Sequence, residues 1–154
     1  MGTKNIIDLD LSETRKKRIR IDGDDNRILE INTSDLNVIS RLKEVYSTLT
    51  KLAVEGNQFF EVGEDAPVEE QFESYGKSLK EVDTKMRELV DYVFDAPVSE
   101  VCAPDGSMYD PFNGMFRFEF LFEKLLTLYE SNFDTEFKKM SKRVQKHTDK
   151  YVKG

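Results

Sequence analysis

The sequence predicts an α+β fold, an N-terminal β-hairpin followed by a mainly helical bundle of three long helices. Three observations carry that prediction. In RIRIDGDDNRILEIN, residues 18–32, isoleucine and leucine alternate with charged residues on both sides of an Asp-Gly pair. Period-two alternation around such a pair is a hairpin signal. Apolar residues then recur at alternating steps of 3 and 4 along extended stretches, as on one face of a helix. Between the last two of these stretches, Pro97, Pro104, Gly106, Pro111 and Gly114 punctuate the chain. The 154 residues fit one domain, 1–154, large enough to bury a core. Within it the expected parts are a β-rich N-terminal region at 1–33, two helices at 34–96, a Pro/Gly-rich loop at 97–114 and a C-terminal helix at 115–152.

The hairpin strands are expected at 17–22 and 27–32, and NIIDLDL, residues 5–11, can add a third strand. The turn itself offers Asp22, Asp24, Asp25 and Asn26, oxygens of the kind a hard cation takes. An EF-hand loop starting at Asp22 would need glycine at its sixth position and a bidentate glutamate at its twelfth. Those positions hold Arg27 and Thr33, and the flanks alternate like strands instead of helices. The segment therefore reads as a turn, with no metal expected.

Thr33, Ser34 and Asp35 bring side-chain oxygens that can cap a helix start. Leu36, Ile39, Leu42, Val45, Tyr46, Leu49 and Leu52 follow at helical spacing, with Gly56 as a stop, giving a first helix over about 35–55. The aromatic pair Phe59-Phe60 leads to Asp65-Ala66-Pro67, where proline suits a first helical turn. The second helix carries Val68, Phe72, Tyr75, Leu79, Val82, Met86, Leu89 and Val93, an unbroken alternation of four-residue and three-residue steps. Gly76 and the flanking charges favour a bundle seam over an isolated coiled coil. The Pro/Gly-rich loop leaves room for one helical turn near Val98–Cys102.

In MFRFEFLFEKLLTLYESNF, Phe116, Phe118, Phe120 and Phe122 alternate as in a strand, yet a longer seam runs on through Leu125, Tyr129, Phe133, Phe137, Met140, Val144 and Tyr151. Length decides for a helix. A helix over 115–152 would be about 57 Å long, against a radius of gyration of about 15 Å for a compact domain of this size. Its basic end must project as an arm or fold back at a break near Ser131–Asp134. Successive members of the aromatic cluster lie about 200° apart on a helix, so one should point away from the main core. Phe120 is the expected one, with Phe116 beside the loop.

The net charge of −7 argues against a general nucleic-acid binder. No apolar run reaches the length of a membrane span, so no membrane partner is expected. Between Glu55 and Asp134 there are 19 acids and 6 bases, while the remainder holds 11 acids and 17 bases. The bases gather in RKKRIR, residues 15–20, and in the tail KKMSKRVQKHTDKYVKG. Such asymmetry points to pairing of the ends with the acidic middle, or to a basic tail for an acidic partner. Homo-oligomerisation stays open.

Catalytic signals are weak. Cys102 and His147 are the lone cysteine and the lone histidine, and nothing in the sequence places them together. No phosphate loop, metal-ligand spacing or nucleophile elbow is present, so neither an enzyme nor a cofactor is expected. The candidate residues are instead for partner binding: Phe116 and Phe120 as apolar contacts, with Lys142, Arg143, Lys146 and Lys150 as the basic arm.

Three stretches, RIRIDGDDNRILEINTSDLNVISRL, KSLKEVDTKMRELVDYVFDAPVSEVC and the basic tail, resemble in order and texture a family of small proteins. These are the tail assembly chaperones from tail-morphogenesis modules of long-tailed phages and prophages of Firmicute-type bacteria. The resemblance spans about residue 17 to the end, apart from 56–67. It implies a non-enzymatic protein that binds the hydrophobic, helical tape measure protein in the bacterial host cytoplasm before the tail tube polymerises. It also implies recruitment of tail tube subunits, absence from the mature virion, and a C-terminally extended form made by ribosomal frameshifting, of which this chain would be the short form. Two other readings compete: a structural tail component such as a connector or tube-associated subunit, and a small nucleic-acid-binding regulator using residues 15–20 and the basic tail.

Overall fold

The structure, a computed structural model, describes the backbone of residues 5–11, 16–58 and 68–152, and the side chains of 5–11, 16–58 and 76–146. The Phe59-Phe60 pair, the Asp65-Ala66-Pro67 helix start, Arg15 and the side chains of Val68, Phe72, Tyr75, His147, Lys150 and Tyr151 lie outside that description.

The fold is α+β, a two-stranded antiparallel hairpin followed by helices. Strands β1 (Lys16–Ile21) and β2 (Asp24–Asn32) pair with Lys17 opposite Ile31 and Ile19 opposite Leu29. The turn between them is shorter than 22–26. It is Asp22-Gly23 alone, with φ of 53° and 71°, the two left-handed positions of a type I′ turn. Asp24 and Asp25 belong to β2 instead. The carboxylates around the turn serve the hairpin itself: Asp22 pairs with Arg27, Asp25 with Arg20, and Asp24 accepts the Asn26 N–H at 2.9 Å. Period two puts Ile19 and Ile21 on the face of Leu29 and Ile31, which are buried. The third strand does not form. Residues 5–11 pair with no strand, and Ile6, Ile7, Leu9 and Leu11 are exposed.

Helix α1 (Asn37–Gly56) starts two residues later than expected, and its Leu36 cap makes no side-chain capping bond. Asp35 acts from one position further out, taking the Asn37 N–H at 3.0 Å on one carboxylate oxygen and Arg41 at 2.7 Å on the other. Arg41 in turn donates to the Val93 carbonyl at 2.9 Å and so ties this start to the end of α2. Packing on α2 also turns the buried face from the expected one. Val38, Val45, Leu49 and Ala53 point inward, while Leu36, Ile39 and Tyr46 are left exposed. Gly56 is buried for a different reason than helix termination: an added Cβ would sit 2.6 Å from the Tyr109 ring.

Helix α2 (Val68–Phe94) packs on α1. Among its described residues Val82, Met86, Val90, Val93 and Phe94 are buried, while Leu79 and Leu89 are half-buried. A straight helix advances 3.6 residues per turn, so its inner stripe drifts away from a strict seven-residue repeat. That drift is small, and the buried face is instead centred toward Val90 and Phe94, which leaves Leu89 at its edge.

Helix α3 (Val98–Cys102) is the single turn expected inside the Pro/Gly-rich loop. The same loop also holds an unexpected small hairpin, β3 (Pro111–Phe112) with β4 (Met115–Phe116). Asn113-Gly114 makes its turn, at φ of 57° and 80°. Helix α4 therefore begins at Arg117 instead of 115, and it runs unbroken to Val152. Phe118, Phe122, Leu125 and Tyr129 bury its first half. The Phe94 ring lies 5.5 Å from Phe122 and 5.9 Å from Tyr129, and Tyr46 lies 6.2 Å from Phe118. Asn132 ties the helix to the body, donating to the Thr33 carbonyl and the Ser34 hydroxyl. From Phe133 to Lys146 every described residue is exposed, so the helix projects and does not fold back.

Two measurements test this packing. Met86→Ala should cost about 2–5 kcal/mol in urea-induced unfolding, the usual range for a fully buried methionine, and Leu79→Ala should cost less. The second concerns acid. The Arg41 hydrogen bond, aided by the Asn37 N–H, holds the Asp35 carboxyl below its ordinary range. A depressed folded-state value gives stability that is complete above the unfolded-state value, about 4, and is lost as pH falls through the folded one. On acidification across that window the parent should therefore lose more stability than Asp35→Asn.

Candidate functional site

A cleft of about 440 Å³ opens where the tip of the β1–β2 hairpin, the end of α3, the small β3–β4 hairpin and the first turns of α4 meet. Each wall has a local cause. The hairpin is fixed against α3 by Arg27, whose guanidinium donates to the Val101 and Cys102 carbonyls at 3.0 and 2.9 Å. Those carbonyls end a helix too short to satisfy them internally. The loop that follows is fixed to α2 by Arg87. It pairs with Asp83 at 2.8 Å and donates to the carbonyls of Ser99, Ala103 and Gly106 at 3.1, 2.8 and 2.9 Å. Asp83 uses its other oxygen to accept the Met108 N–H at 2.7 Å.

Asp91 holds the start of α3, accepting the Ser99 N–H at 2.8 Å and the Ser99 hydroxyl at 3.1 Å. Burial pushes its carboxyl above the ordinary range, and these two bonds offset part of the rise. Gly106 sits at φ +73°, with the Arg117 guanidinium and the Asp110 carboxylate closing on the space a Cβ would need. Arg117 donates to the Asp105 carbonyl, its N–H donates to the Asp110 carbonyl at 2.8 Å, and the Phe118 N–H donates to the Met108 carbonyl at 3.0 Å. The loop thereby hands the chain directly into α4.

The cleft has an apolar floor of Phe112, Phe120, Leu121 and Leu125, with Arg20, Arg117 and Lys124 around it. Phe120 turns away from the main core, as the 200° argument requires. Its ring meets Phe112 edge-on at 4.7 Å, and the Lys124 ammonium lies 5.4 Å from its centre. Phe112 is exposed and lies within the aromatic surface 112–122 read from the sequence, though not among the residues named singly, and Asn113-Gly114 beside it is a strong short-range hairpin signal. Phe116 does not line the cleft. It stacks on Phe118 at 5.9 Å, on the core side of the small hairpin. Lys142, Arg143 and Lys146 are exposed on the projecting half of α4, well away from the cleft in sequence. Of the candidate residues, Phe120 lies at the cleft, Lys142, Arg143 and Lys146 lie on the arm, and Phe116 lies on neither surface.

Cys102 also lines the cleft, but burial pushes its thiol up to about 11, so it stays protonated near neutral pH and is a weak nucleophile. Among the described residues no group of three or more His, Cys, Asp or Glu side chains could hold a metal ion, and no helix is long and apolar enough to cross a membrane. No family model, curated protein or solved structure matches the chain.

Arg87 is the positioning residue of this site. Arg87→Met would leave three carbonyls and the Asp83 carboxylate without their donor, so unfolding should cost about 3 kcal/mol less. Hydrogen exchange should rise first in residues 97–110, before α1 and the β1–β2 hairpin. Uniform loss of protection across the chain would contradict that role.

Proposed function

We propose that this chain is a non-enzymatic tail assembly chaperone, binding the tape measure protein of a long-tailed phage or prophage in the bacterial host cytoplasm and leaving before the virion is complete. The observation that carries the reading is the cleft around Phe120: an open apolar floor of two aromatic rings and two leucines, bordered by Arg20, Arg117 and Lys124 against the single Asp22 carboxylate. Such a surface takes the apolar side chains of an amphipathic helix whose flanks are acidic. A long helical protein awaiting its tube exposes many such faces, and a chaperone for it needs apolar contact without losing its own charge-based solubility. The identity of the client, and the further contact with tail tube subunits, rest on the sequence resemblance.

The exposed bases of the α4 arm would add long-range attraction to an acidic client without fixing its register. Phe120→Ser removes the centre of the floor while Phe118 and Phe122 keep the core, so melting should change little. Co-expression should then leave clearly less tape measure protein in the soluble fraction than the parent does. A parent that keeps none of it soluble, and that persists in purified virions, would replace this reading with a structural tail component.

A further inference from the structure

The projecting half of α4 carries a second apolar surface that the cleft does not use. Phe133, Phe137, Met140 and Val144 follow one another at steps of 4, 3 and 4 and are 41, 54, 62 and 63% exposed. The Phe133 and Phe137 rings stack on each other at 5.5 Å, forming one ridge on one face. This stripe continues the seam that Phe118, Phe122, Leu125 and Tyr129 bury against the body. It is a coiled-coil half-seam.

Charge selects its occupant. From Glu119 to Glu136 the helix holds five acids and one base, and from Lys138 to Lys146 it holds five bases and no acid. The arm is therefore acidic at its base and basic at its tip. Two copies side by side in the same direction would stack tip on tip. Two copies in opposite directions would lay each basic tip along the other's acidic base. The flanking positions agree. Glu136 and Arg143 are seven residues apart, on the same side of the stripe, just before Phe137 and Val144. Like flanks face each other in an antiparallel helix pair, whereas unlike flanks meet in a parallel one. With Phe137 opposite Met140 of the partner subunit and Phe133 opposite Val144 of the partner subunit, Glu136 comes to face Arg143 of the partner subunit, twice by symmetry. In a parallel pair Glu136 would face Ser141 instead.

We infer that the α4 arm is a self-association surface, on which a second copy of this chain packs antiparallel through Phe133, Phe137, Met140 and Val144 with crossed Glu136–Arg143 pairs. The dimer is isologous, each copy presenting the same surface. The apolar overlap, Phe133 to Val144, is short, about 18 Å of helix at 1.5 Å per residue. It is therefore a reversible contact and smaller than a standard interface. This inference stands apart from the client reading, since it uses neither the cleft nor the resemblance.

Sedimentation equilibrium of the full chain over a wide concentration range tests it. The expected result is a monomer–dimer equilibrium that weakens as salt is raised, because the flanking charges are screened. Phe137→Asp should leave a monomer, with circular dichroism showing the helical content kept. Glu136→Arg and Arg143→Glu should each weaken the dimer about tenfold, turning two attractive pairs into repulsive ones. The double variant, which exchanges the two charges within one chain, should restore it. A monomer at every concentration, a dimer indifferent to Phe137→Asp, or single variants that the charge exchange fails to rescue would each overturn the proposal.

Discussion

The guanidinium of Arg87 is the constraint on which the rest of the molecule depends. Three carbonyls from the Pro/Gly-rich loop and one carboxylate from α2 converge on it. That loop has little regular structure to satisfy its own backbone, and an unpaired buried carbonyl is costly. Asp91 anchors Ser99 at the start of this stretch and Asp83 anchors Met108 just beyond it, and Arg87 holds the carbonyls between them along α2. So held, Met108 and Asp110 present the carbonyls that receive the first N–H groups of α4. The direction in which α4 leaves the body is set there. So are the shape of the cleft and the position of the arm.

Helices were legible where periodicity was long, and strands where alternation met a turn. The Asp22-Gly23 hairpin, the single turn Val98–Cys102 and the long C-terminal helix all came from local patterns that tertiary packing did not override. Residues 5–11 did not follow. Their alternation, NIIDLDL, is strand-like, but a strand needs a partner ladder, which single-sequence periodicity cannot supply. Leu89 is only half-buried because the face α2 buries is centred toward Val90 and Phe94, which leaves Leu89 at its edge, and a single seam does not report that centre. The small hairpin at Pro111–Phe116 was hidden because the Phe116–Phe122 alternation invited a choice between strand and helix, and the chain uses both in succession.

The candidate site was legible only in part. Phe120 could be placed outside the core by angle alone, because four alternating aromatics cannot share one helical stripe. Its cleft could not be read, because the other walls come from residues 20–22 and 102–112, and single-sequence patterns do not report which distant segments meet. Arg27 and Arg87 were equally silent. Each looks like one more surface charge in a chain that is 34% charged. Their weight comes from the carbonyls they face, and those are chosen by the fold. Phe116, expected beside the loop and offered as a partner contact, is turned by β4 onto Phe118.

One seam along α4 does two things, and the body decides where one ends and the other begins. Phe118 through Tyr129 and Phe133 through Val144 each follow steps of 4, 3 and 4, and the extra four-residue step that joins them turns the second stripe partly around the helix. The boundary is Asn132, bonded to Thr33 and Ser34, where the helix passes the edge of the domain. Burial is exhausted there before the apolar pattern is. A helix that only closed the core could have turned polar at that point, as surface helices ordinarily do on their free faces. Instead the apolar residues continue while the flanking charges change from acidic to basic. Exposed apolar residues taken singly need no explanation, but an ordered stripe with a sign change along its length has the form of an interface.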